Sequence, residues 1–169
     1  TAKAKRPMNL VNGVTNPYIE VPAHMIRLRV LNGSTRKGLQ MAISNCYDCD
    51  TFEDFREIAS DGGYLEQAVT LKHLLTGPGA RAELLLDLTS YSPGDVLYLR
   101  NMKQLMPGSI VGSPNPTAGP GGGRDATEGD AFLQIRIVAD PAGYTPVDAF
   151  TPFISSWDPG IADTMNIDR

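Results

Sequence analysis

The sequence predicts an all-β domain built as a sandwich of two packed sheets. Apolar and polar residues alternate along several short segments, and a strand with one buried and one solvated face produces this period of two. Turn signals separate those segments. The chain of 169 residues contains 17 Gly and 13 Pro and is 41% hydrophobic, which suits one domain of strands joined by many turns. Two antiparallel sheets that bury their apolar faces against each other are therefore expected.

Four segments carry the alternation most clearly. Their apolar sets, in chain order, are Ile26, Leu28 and Val30; Leu39, Met41 and Ile43; Ala82, Leu84, Leu86 and Leu88; and Leu133, Ile135 and Ile137. The turn signals are Asn12-Gly13, Asn32-Gly33, Asp61-Gly62-Gly63, Gly77-Pro78-Gly79 and Pro93-Gly94. Each of these contains a residue that adopts positive φ readily or presets a turn.

One segment is ambiguous between helix and strand. Leu65 to Leu75 is the best helix candidate in the chain, but Val69, Thr70 and Leu71 are more typical of strands. The strand interpretation is favoured.

Two stretches fall outside the alternating pattern. Residues 107–130 have Gly or Pro at nearly every second position, which predicts a long loop that either lacks fixed structure or lines a neighbouring domain. Residues 144–169 lack periodicity, but they carry the apolar side chains Phe150, Phe153, Ile154 and Trp157. That composition suits a linker packed against another body. We therefore expect a domain at 1–143, and an interdomain linker or the start of a further domain at 144–169.

The charge and hydropathy of the chain exclude two classes of partner. Its formal net charge is −4, and its basic residues are scattered, whereas a nucleic-acid binder needs a basic stripe. The cluster of Lys3, Lys5 and Arg6 is more typical of a solvated tail. No apolar stretch approaches the roughly 20 residues that cross a bilayer. The opening TAKAKRPMNLV also lacks the apolar region of a signal peptide.

Three blocks of sequence carry a resemblance to a known family. They are VNGVTNPYIEVPAHMIRLRVLNGSTR (Val11–Arg36), FREIASDGGYLEQAVTLKHLLTGPGARAELLLD (Phe55–Asp87) and FLQIRIV (Phe132–Val138). In order and spacing they are similar to the middle cupredoxin-like domain of three-domain multicopper oxidases, the group of spore-coat laccases and bilirubin oxidases. The resemblance implies a cupredoxin-like Greek-key β-sandwich.

The same resemblance implies a role without copper. In that family the coppers lie in the flanking domains, so this chain would hold no cofactor and would act as a spacer and pocket wall. The parent enzyme would oxidise phenolic or similar donors one electron at a time and reduce dioxygen to water. The partners of this domain would be the first and third domains of the parent, which would be exported to the periplasm, spore coat or exterior. Self-association through residues 144–169 is a further expectation.

Two other functions remain open. The chain also resembles a domain of the copper-free cell-division scaffold proteins that share this fold. Alternatively, it is a small metal or redox module that uses Cys46 and Cys49. His-x-His pairs before Thr1 and a Cys-His-Met cluster after Arg169 would identify an oxidase.

The chain offers few ligands for copper. A blue-copper site needs two imidazoles and a thiolate, and the available candidates are His24, His73, Cys46 and Cys49. No Cys or His follows His73, whereas in cupredoxin sites of the family these ligands lie near the last strand. We predict no catalytic, cofactor or metal residue in this chain, and we expect both histidines to be ordinary surface or partly buried side chains.

The C-x-x-C segment Cys46-Tyr47-Asp48-Cys49 is the one local motif that suggests redox or metal chemistry. It enters an acidic loop, residues 48–54, and not a helix, and neighbouring carboxylates disfavour a thiolate. Three states are compatible with it: a local disulfide, two free thiols, or a metal or redox site. An exported parent, as the resemblance implies, would favour the disulfide.

Two weaker signals have simpler explanations. Asp61 could relay protons, but Asp followed by two Gly is typical of a turn whose carboxylate caps backbone N–H groups. The Gly-rich residues 120–123 neither follow a clear strand nor open a helix, so they do not match a phosphate-binding loop.

Overall fold

The computed structural model describes residues 10–47, 49, 51–102, 105–107, 110 and 131–143, and these residues contain no α-helix. They form strands joined by turns, as the alternation predicts. In chain order the strands are β1 (Leu10–Val11), β2 (Val14–Thr15), β3 (Tyr18–Pro22), β4 (Met25–Leu31), β5 (Leu39–Ser44), β6 (Phe55–Ser60), β7 (Gly63–Leu71), β8 (His73–Thr76), β9 (Arg81–Asp87), β10 (Val96–Asn101) and β11 (Ala131–Val138).

The strands assemble into two large sheets and one small hairpin. The five-stranded sheet has the order β3-β11-β10-β5-β8, the four-stranded sheet has the order β4-β9-β6-β7, and β1 pairs with β2. From β3 to β11 the chain changes sheet at almost every connection, and only β6–β7 and β10–β11 are consecutive neighbours in one sheet. Repeated crossing between packed sheets is the Greek-key β-sandwich, so the predicted fold class is confirmed.

One strand pair corrects the expectation that both sheets are antiparallel. Strand β3 runs parallel to β11, with Ile19 opposite Ile135 and Val21 opposite Ile137. Periodicity cannot reveal this, because side chains alternate faces in both kinds of sheet. Parallel neighbours need a long crossover, and here most of the sandwich lies between the two strands in sequence.

The core lies between the two large sheets. Its buried cluster contains Met41, Ile43, Phe55, Ala82, Leu84, Leu86, Leu88, Leu97, Leu99, Phe132, Ile135 and Ile137. The cluster draws on β5, β10 and β11 of one sheet and β6 and β9 of the other. Strand β4 is at an edge, so its apolar residues Ile26, Leu28 and Val30 are only partly buried against this cluster.

A β-bulge in β6 changes the face to which its side chains point. Glu57 pairs with Leu84, whereas Ala59 pairs with Glu83, so the register skips Ile58. Directly opposed residues share a face. Glu57 is therefore on the core side with Leu84, and Ala59 is on the outer side with Glu83. A strict period of two would place Glu57 and Ala59 on the same face.

The remaining sequence expectations have mixed outcomes. Leu65 to Leu75 forms parts of β7 and β8, which confirms the strand interpretation. The predicted loop 107–130 lies outside the described residues except for Pro107 and Ile110, and residues 144–169 lie entirely outside them. The domain boundary at 143 therefore stays a prediction. A search of the described residues finds no helix with the length and apolar character of a membrane span.

Candidate functional site

The C-x-x-C segment forms a disulfide in the loop between β5 and β6. Cys46 and Cys49 are bonded, with their Cα atoms 5.7 Å apart. Both residues are half-buried, and they are the only cysteines in the chain. Of the three states compatible with the sequence, the structure has the local disulfide.

The buried side chains of Ser44 and Arg100 donate hydrogen bonds to the backbone of this loop. The Ser44 hydroxyl donates to the carbonyl oxygen of Cys46 at 2.7 Å. The Arg100 guanidinium donates through Nη1 to the carbonyl oxygen of Cys49 at 2.5 Å. Ser44 lies on β5 and Arg100 on the neighbouring strand β10, and Arg100 is only 4% exposed. The loop is thus fixed at both cysteines by contacts that do not involve the S–S bond.

Tyr47, which follows Cys46 in this loop, also contacts the sheet. The Tyr47 ring packs edge-on against Tyr98 of β10, with a centroid distance of 5.7 Å and an interplanar angle of 88°. On the same outer face, the Arg136 guanidinium lies 3.7 Å from the ring centroid of Tyr18 and donates to Gln134 Oε1 at 3.1 Å. Tyrosine and arginine side chains are enriched in protein interfaces, so this face has the composition of a contact surface.

The two histidines lie on different parts of the sandwich and have different partners. His24 is in the turn between β3 and β4, where its Nε2 is 2.6 Å from Asp140 Oδ1. His73 is on β8, where its Nδ1 is 2.9 Å from Gln40 Nε2. The structure therefore does not gather the four candidate ligands into one site.

These residues do not fit a blue-copper centre. Such a centre needs a thiolate and two imidazoles around one ion. Here both sulfurs are bonded to each other, and the two imidazoles have separate hydrogen-bond partners on separate elements. Over the described ranges, no group of three or more His, Cys, Asp and Glu residues could hold a metal ion. That none of the four candidates binds metal stays a prediction.

Asp61 stands in the turn between β6 and β7, where its carboxylate caps a backbone N–H group. Its Oδ1 accepts from the backbone N–H and from the Nε of Arg81, each at 3.0 Å. These hydrogen bonds hold the pKa of the Asp61 carboxyl below its usual value. The turn is the predicted one and its carboxylate caps a backbone N–H, but that N–H belongs to Arg81 at the start of β9 and not to the turn itself.

An open depression of about 490 Å³ lies beside this turn on the four-stranded sheet. Arg27 donates to Glu83 and, at 3.1 Å, to the Tyr64 hydroxyl, while Arg29 lies 3.4 Å from Glu83. The depression therefore presents charges that pair with one another across strands. Its lining comprises Arg29, Val30, Leu31, Ala59, Ser60, Asp61, Gly63, Tyr64, Arg81, Ala82 and Glu83.

Sequence reasoning missed Arg100, the buried cation beneath the cysteine loop. One signal could have found it, since Arg100 follows the apolar residues Leu97 and Leu99 within a strand. A charged residue is seldom fully buried unless it is paired. An arginine in a predicted core strand therefore calls for polar partners nearby, and here these include the carbonyl of Cys49.

Comparison with known proteins gives partial matches, and no family model matches the chain. The multicopper oxidase mco of Staphylococcus haemolyticus is 37% identical over 97 residues, covering 57% of this chain and 20% of that protein. The laccase of Bacillus subtilis is 35% identical over 92 residues, covering 54% and 17%. The cell division protein FtsP of Histophilus somni is 43% identical over 98 residues, covering 56% and 19%. The chain thus spans about a fifth of the length of these relatives.

The fold has counterparts among solved structures. The McoA multicopper oxidase of the hyperthermophile Aquifex aeolicus matches with a TM-score of 0.60 and 25% identity, over 82% of this chain and 26% of that one. Most of the present sandwich therefore corresponds to about a quarter of a longer oxidase. That proportion is what a single domain of a multidomain protein would show.

Proposed function

Because the chain is homologous to multicopper oxidases and folds as one of their cupredoxin-like domains, we propose that it is the copper-free middle domain of such an enzyme. One observation carries the proposal: the only two cysteines of the chain are joined in a disulfide. A sulfur in that state is no thiolate and cannot be the ligand that a blue-copper site requires. The role left to the domain is structural. It would act as a spacer that fixes the first and third domains relative to each other, and it would form part of the wall of the donor pocket.

The activity proposed for the longer protein follows from its relatives. It would oxidise phenolic or similar donors at copper sites in the flanking domains and pass the electrons to dioxygen, which is reduced to water. It would work outside the cytoplasm, where a disulfide persists. The partners of this domain would be the first and third domains of the same polypeptide, and the Tyr18, Arg136, Tyr98 and Tyr47 face is the surface with the composition for such a contact.

A copper titration of the 169-residue chain tests the proposed role. The chain is loaded with Cu(II), in its oxidised form and after reduction of the disulfide, and the visible spectrum is searched for the blue thiolate-to-copper band. Oxidation of a phenol under oxygen is measured on the same samples, with a copper-loaded bacterial laccase as the positive control. We expect no blue band and no turnover in either form. A blue band in the reduced sample would overturn the copper-free assignment.

A second function is favoured by the FtsP match, which has a higher identity than either oxidase match described above. In that case the longer protein would be a cell-division protein, and the sandwich would serve as a scaffold. The two functions differ in the sequences beside this chain. His-x-His pairs upstream and a Cys-His-Met cluster downstream, together with bound copper in the longer protein, would support the oxidase; their absence would support the scaffold.

We also propose that residues 144–169 dock either on their own sandwich or on a neighbouring copy, through Phe150, Phe153, Ile154 and Trp157. Large apolar side chains among Pro, Asp and Ser form a sequence pattern suited to packing against another body. The chain truncated after Pro141 should keep the stability of the sandwich but change its association state or solubility in sedimentation experiments. Equal monomeric behaviour of both forms, with Trp157 fluorescing as a fully wetted indole, would contradict this proposal.

A further inference from the structure

We propose that the Cys46–Cys49 disulfide is a redox-active site that exchanges with an external dithiol, with the Cys46 sulfur as the atom attacked and Cys49 as the leaving thiolate. The proposal concerns chemistry that is independent of copper. It rests on three features of the loop: its structural redundancy, its access to solvent, and the asymmetry of the two sulfurs.

The first feature is that the S–S bond adds little to the structure. A ring closed between residues three apart removes little entropy from the unfolded chain. The loop backbone is already held at Cys46 by Ser44 and at Cys49 by Arg100. Reduction would therefore leave two thiols in a preorganised loop. A disulfide with a mainly structural role would more often close a long loop.

The second feature is access. Both cysteines are half-buried, and Tyr47 between them is 53% exposed, so the loop lies at the surface. Reactive cysteines sit in partly exposed surroundings that contain positive charge. The Arg100 guanidinium supplies such a charge at the Cys49 carbonyl.

The third feature distinguishes the two sulfurs. The Thr51 hydroxyl lies 3.1 Å from Cys49 Sγ and donates to it. The hydroxyl donor stabilises negative charge on Cys49 Sγ, and the Arg100 cation is bound at the carbonyl of the same residue. Two carbonyl oxygens, of Cys46 at 3.8 Å and of Thr51 at 3.7 Å, face the same sulfur and oppose that charge. The better stabilised thiolate leaves faster in thiol–disulfide exchange. In the sequence, Asp48 and Asp50 are the immediate neighbours of Cys49, and neighbouring carboxylates disfavour a thiolate. The exchange rate measures the balance.

The exchange proceeds in two balanced steps. A thiolate of the external dithiol attacks Cys46 Sγ, the S–S bond breaks, and its electron pair passes to Cys49 Sγ, which takes up a proton from water. The second thiol of the dithiol then loses its proton and attacks the mixed disulfide. Cys46 is released as a thiol and the dithiol becomes a disulfide. In total, two electrons and two protons pass from the partner to the protein. The partner is a dithiol reductant or a dithiol oxidoreductase.

Reduction of the folded chain by dithiothreitol tests the site. Free thiols are counted over time, and the near-ultraviolet circular dichroism of the Tyr47–Tyr98 pair reports the loop. We expect reduction to be much faster than global unfolding, with the sandwich intact throughout. Reduction that keeps pace with unfolding would show a protected structural disulfide and overturn the proposal.

Two further measurements assign the sulfurs. Folded oxidised chain is treated with glutathione, acid-quenched and mapped by mass spectrometry, and the adduct is expected on Cys46. An adduct on Cys49 would overturn the assignment. Thr51→Val should slow reduction several-fold without moving the unfolding midpoint, whereas the matched change Thr70→Val on β7 should leave the rate unchanged. Equal rates in both variants would show that Thr51 does not stabilise the leaving sulfur.

Discussion

The side-chain amide of Asn32 donates to the backbone carbonyl of Thr76 at 3.1 Å and so joins the two sheets at one end of the sandwich. Asn32 follows β4 of the four-stranded sheet, and Thr76 ends β8 of the five-stranded sheet. The same amide donates to the Lys37 carbonyl at 2.9 Å, and its Oδ1 accepts from the Ser34 N–H at 3.0 Å. Asn32 is 1% exposed, so this one side chain satisfies backbone groups that are shielded from water.

Replacing this amide should destabilise the fold. Asn32→Ala removes the side-chain donor to the Thr76 carbonyl and the acceptor of the Ser34 N–H, whereas the Lys37 carbonyl keeps the Ser34 hydroxyl as a donor. Each buried unsatisfied group costs about 1–3 kcal/mol. We expect a loss of about 2–4 kcal/mol in the free energy of unfolding, measured by chemical denaturation. Gln67→Ala, at an exposed position of β7, should change stability by no more than about 0.5 kcal/mol. A similar effect of the two substitutions would contradict the bridging role.

The strands and some turns were predictable from local chemistry. Positions such as Met41 and Leu84 lie in the core because alternation reports a face directly. The Asn12-Gly13 turn was equally predictable from the sequence. Asn12 has a φ of 50° and Gly13 a φ of 82°, and a two-residue hairpin loop requires positive φ at both positions. In these cases neighbouring residues alone determine the outcome.

Features that depend on distant residues were not predictable. The Asn32-Gly33 signal indicated a turn but not the buried bridge to Thr76, because that contact joins residues far apart in sequence. The parallel pairing of β3 with β11 and the bulge at Ile58 are set by packing of the whole sandwich. At the candidate site, the C-x-x-C spacing allowed the disulfide, but the buried Arg100 that holds it comes from another strand.

The disulfide should be dispensable for the fold. By the loop-entropy relation, a ring this short stabilises by at most about 2 kcal/mol. The Cys46→Ser, Cys49→Ser double variant should lose no more than about 2 kcal/mol in thermal or chemical unfolding. Arg100→Leu should cost more, because it leaves the Cys49 carbonyl without its charged donor. A larger loss in the cysteine variant than in Arg100→Leu would show that the S–S bond is the main support of the loop.

Glu57 should make stability fall as the pH rises. Partial burial on the core side of β6 raises the pKa of its carboxyl above 4.5. A raised folded-state pKa contributes stability below the unfolded pKa, and that stability is lost as the pH climbs through the folded-state pKa. Glu57→Gln should therefore be more stable than the parent at neutral pH and gain little near pH 3. A gain that is independent of pH would contradict this assignment.

Asp87 should show the opposite pH dependence. The Thr89 hydroxyl, at 2.7 Å, and the Thr89 backbone N–H, at 3.1 Å, hold the pKa of the Asp87 carboxyl below 3.8. A lowered folded-state pKa contributes stability above the unfolded pKa, and that stability is lost as the pH falls through the folded-state pKa. Asp87→Ala should thus be destabilising at pH 7, with a deficit that shrinks below about pH 4. Chemical denaturation of both proteins over this pH range measures the deficit. A deficit that persists in acid would show that Asp87 stabilises the fold through packing and not through its charge.

Packing between the sheets should dominate the stability of the sandwich. Leu84 of β9 is fully buried at 0% exposure, whereas Leu31 at the end of edge strand β4 is 62% exposed. Both are leucines in neighbouring strands of the same sheet, so Leu84→Ala and Leu31→Ala remove the same atoms from different surroundings. We expect Leu84→Ala to cost about 2–5 kcal/mol, because it leaves a cavity as well as losing transfer free energy. Leu31→Ala should stay within about 0.5 kcal/mol in the isolated chain. Comparable losses for both would mean that Leu31 is covered in solution, for instance by a second copy, which sedimentation of the same two variants would reveal.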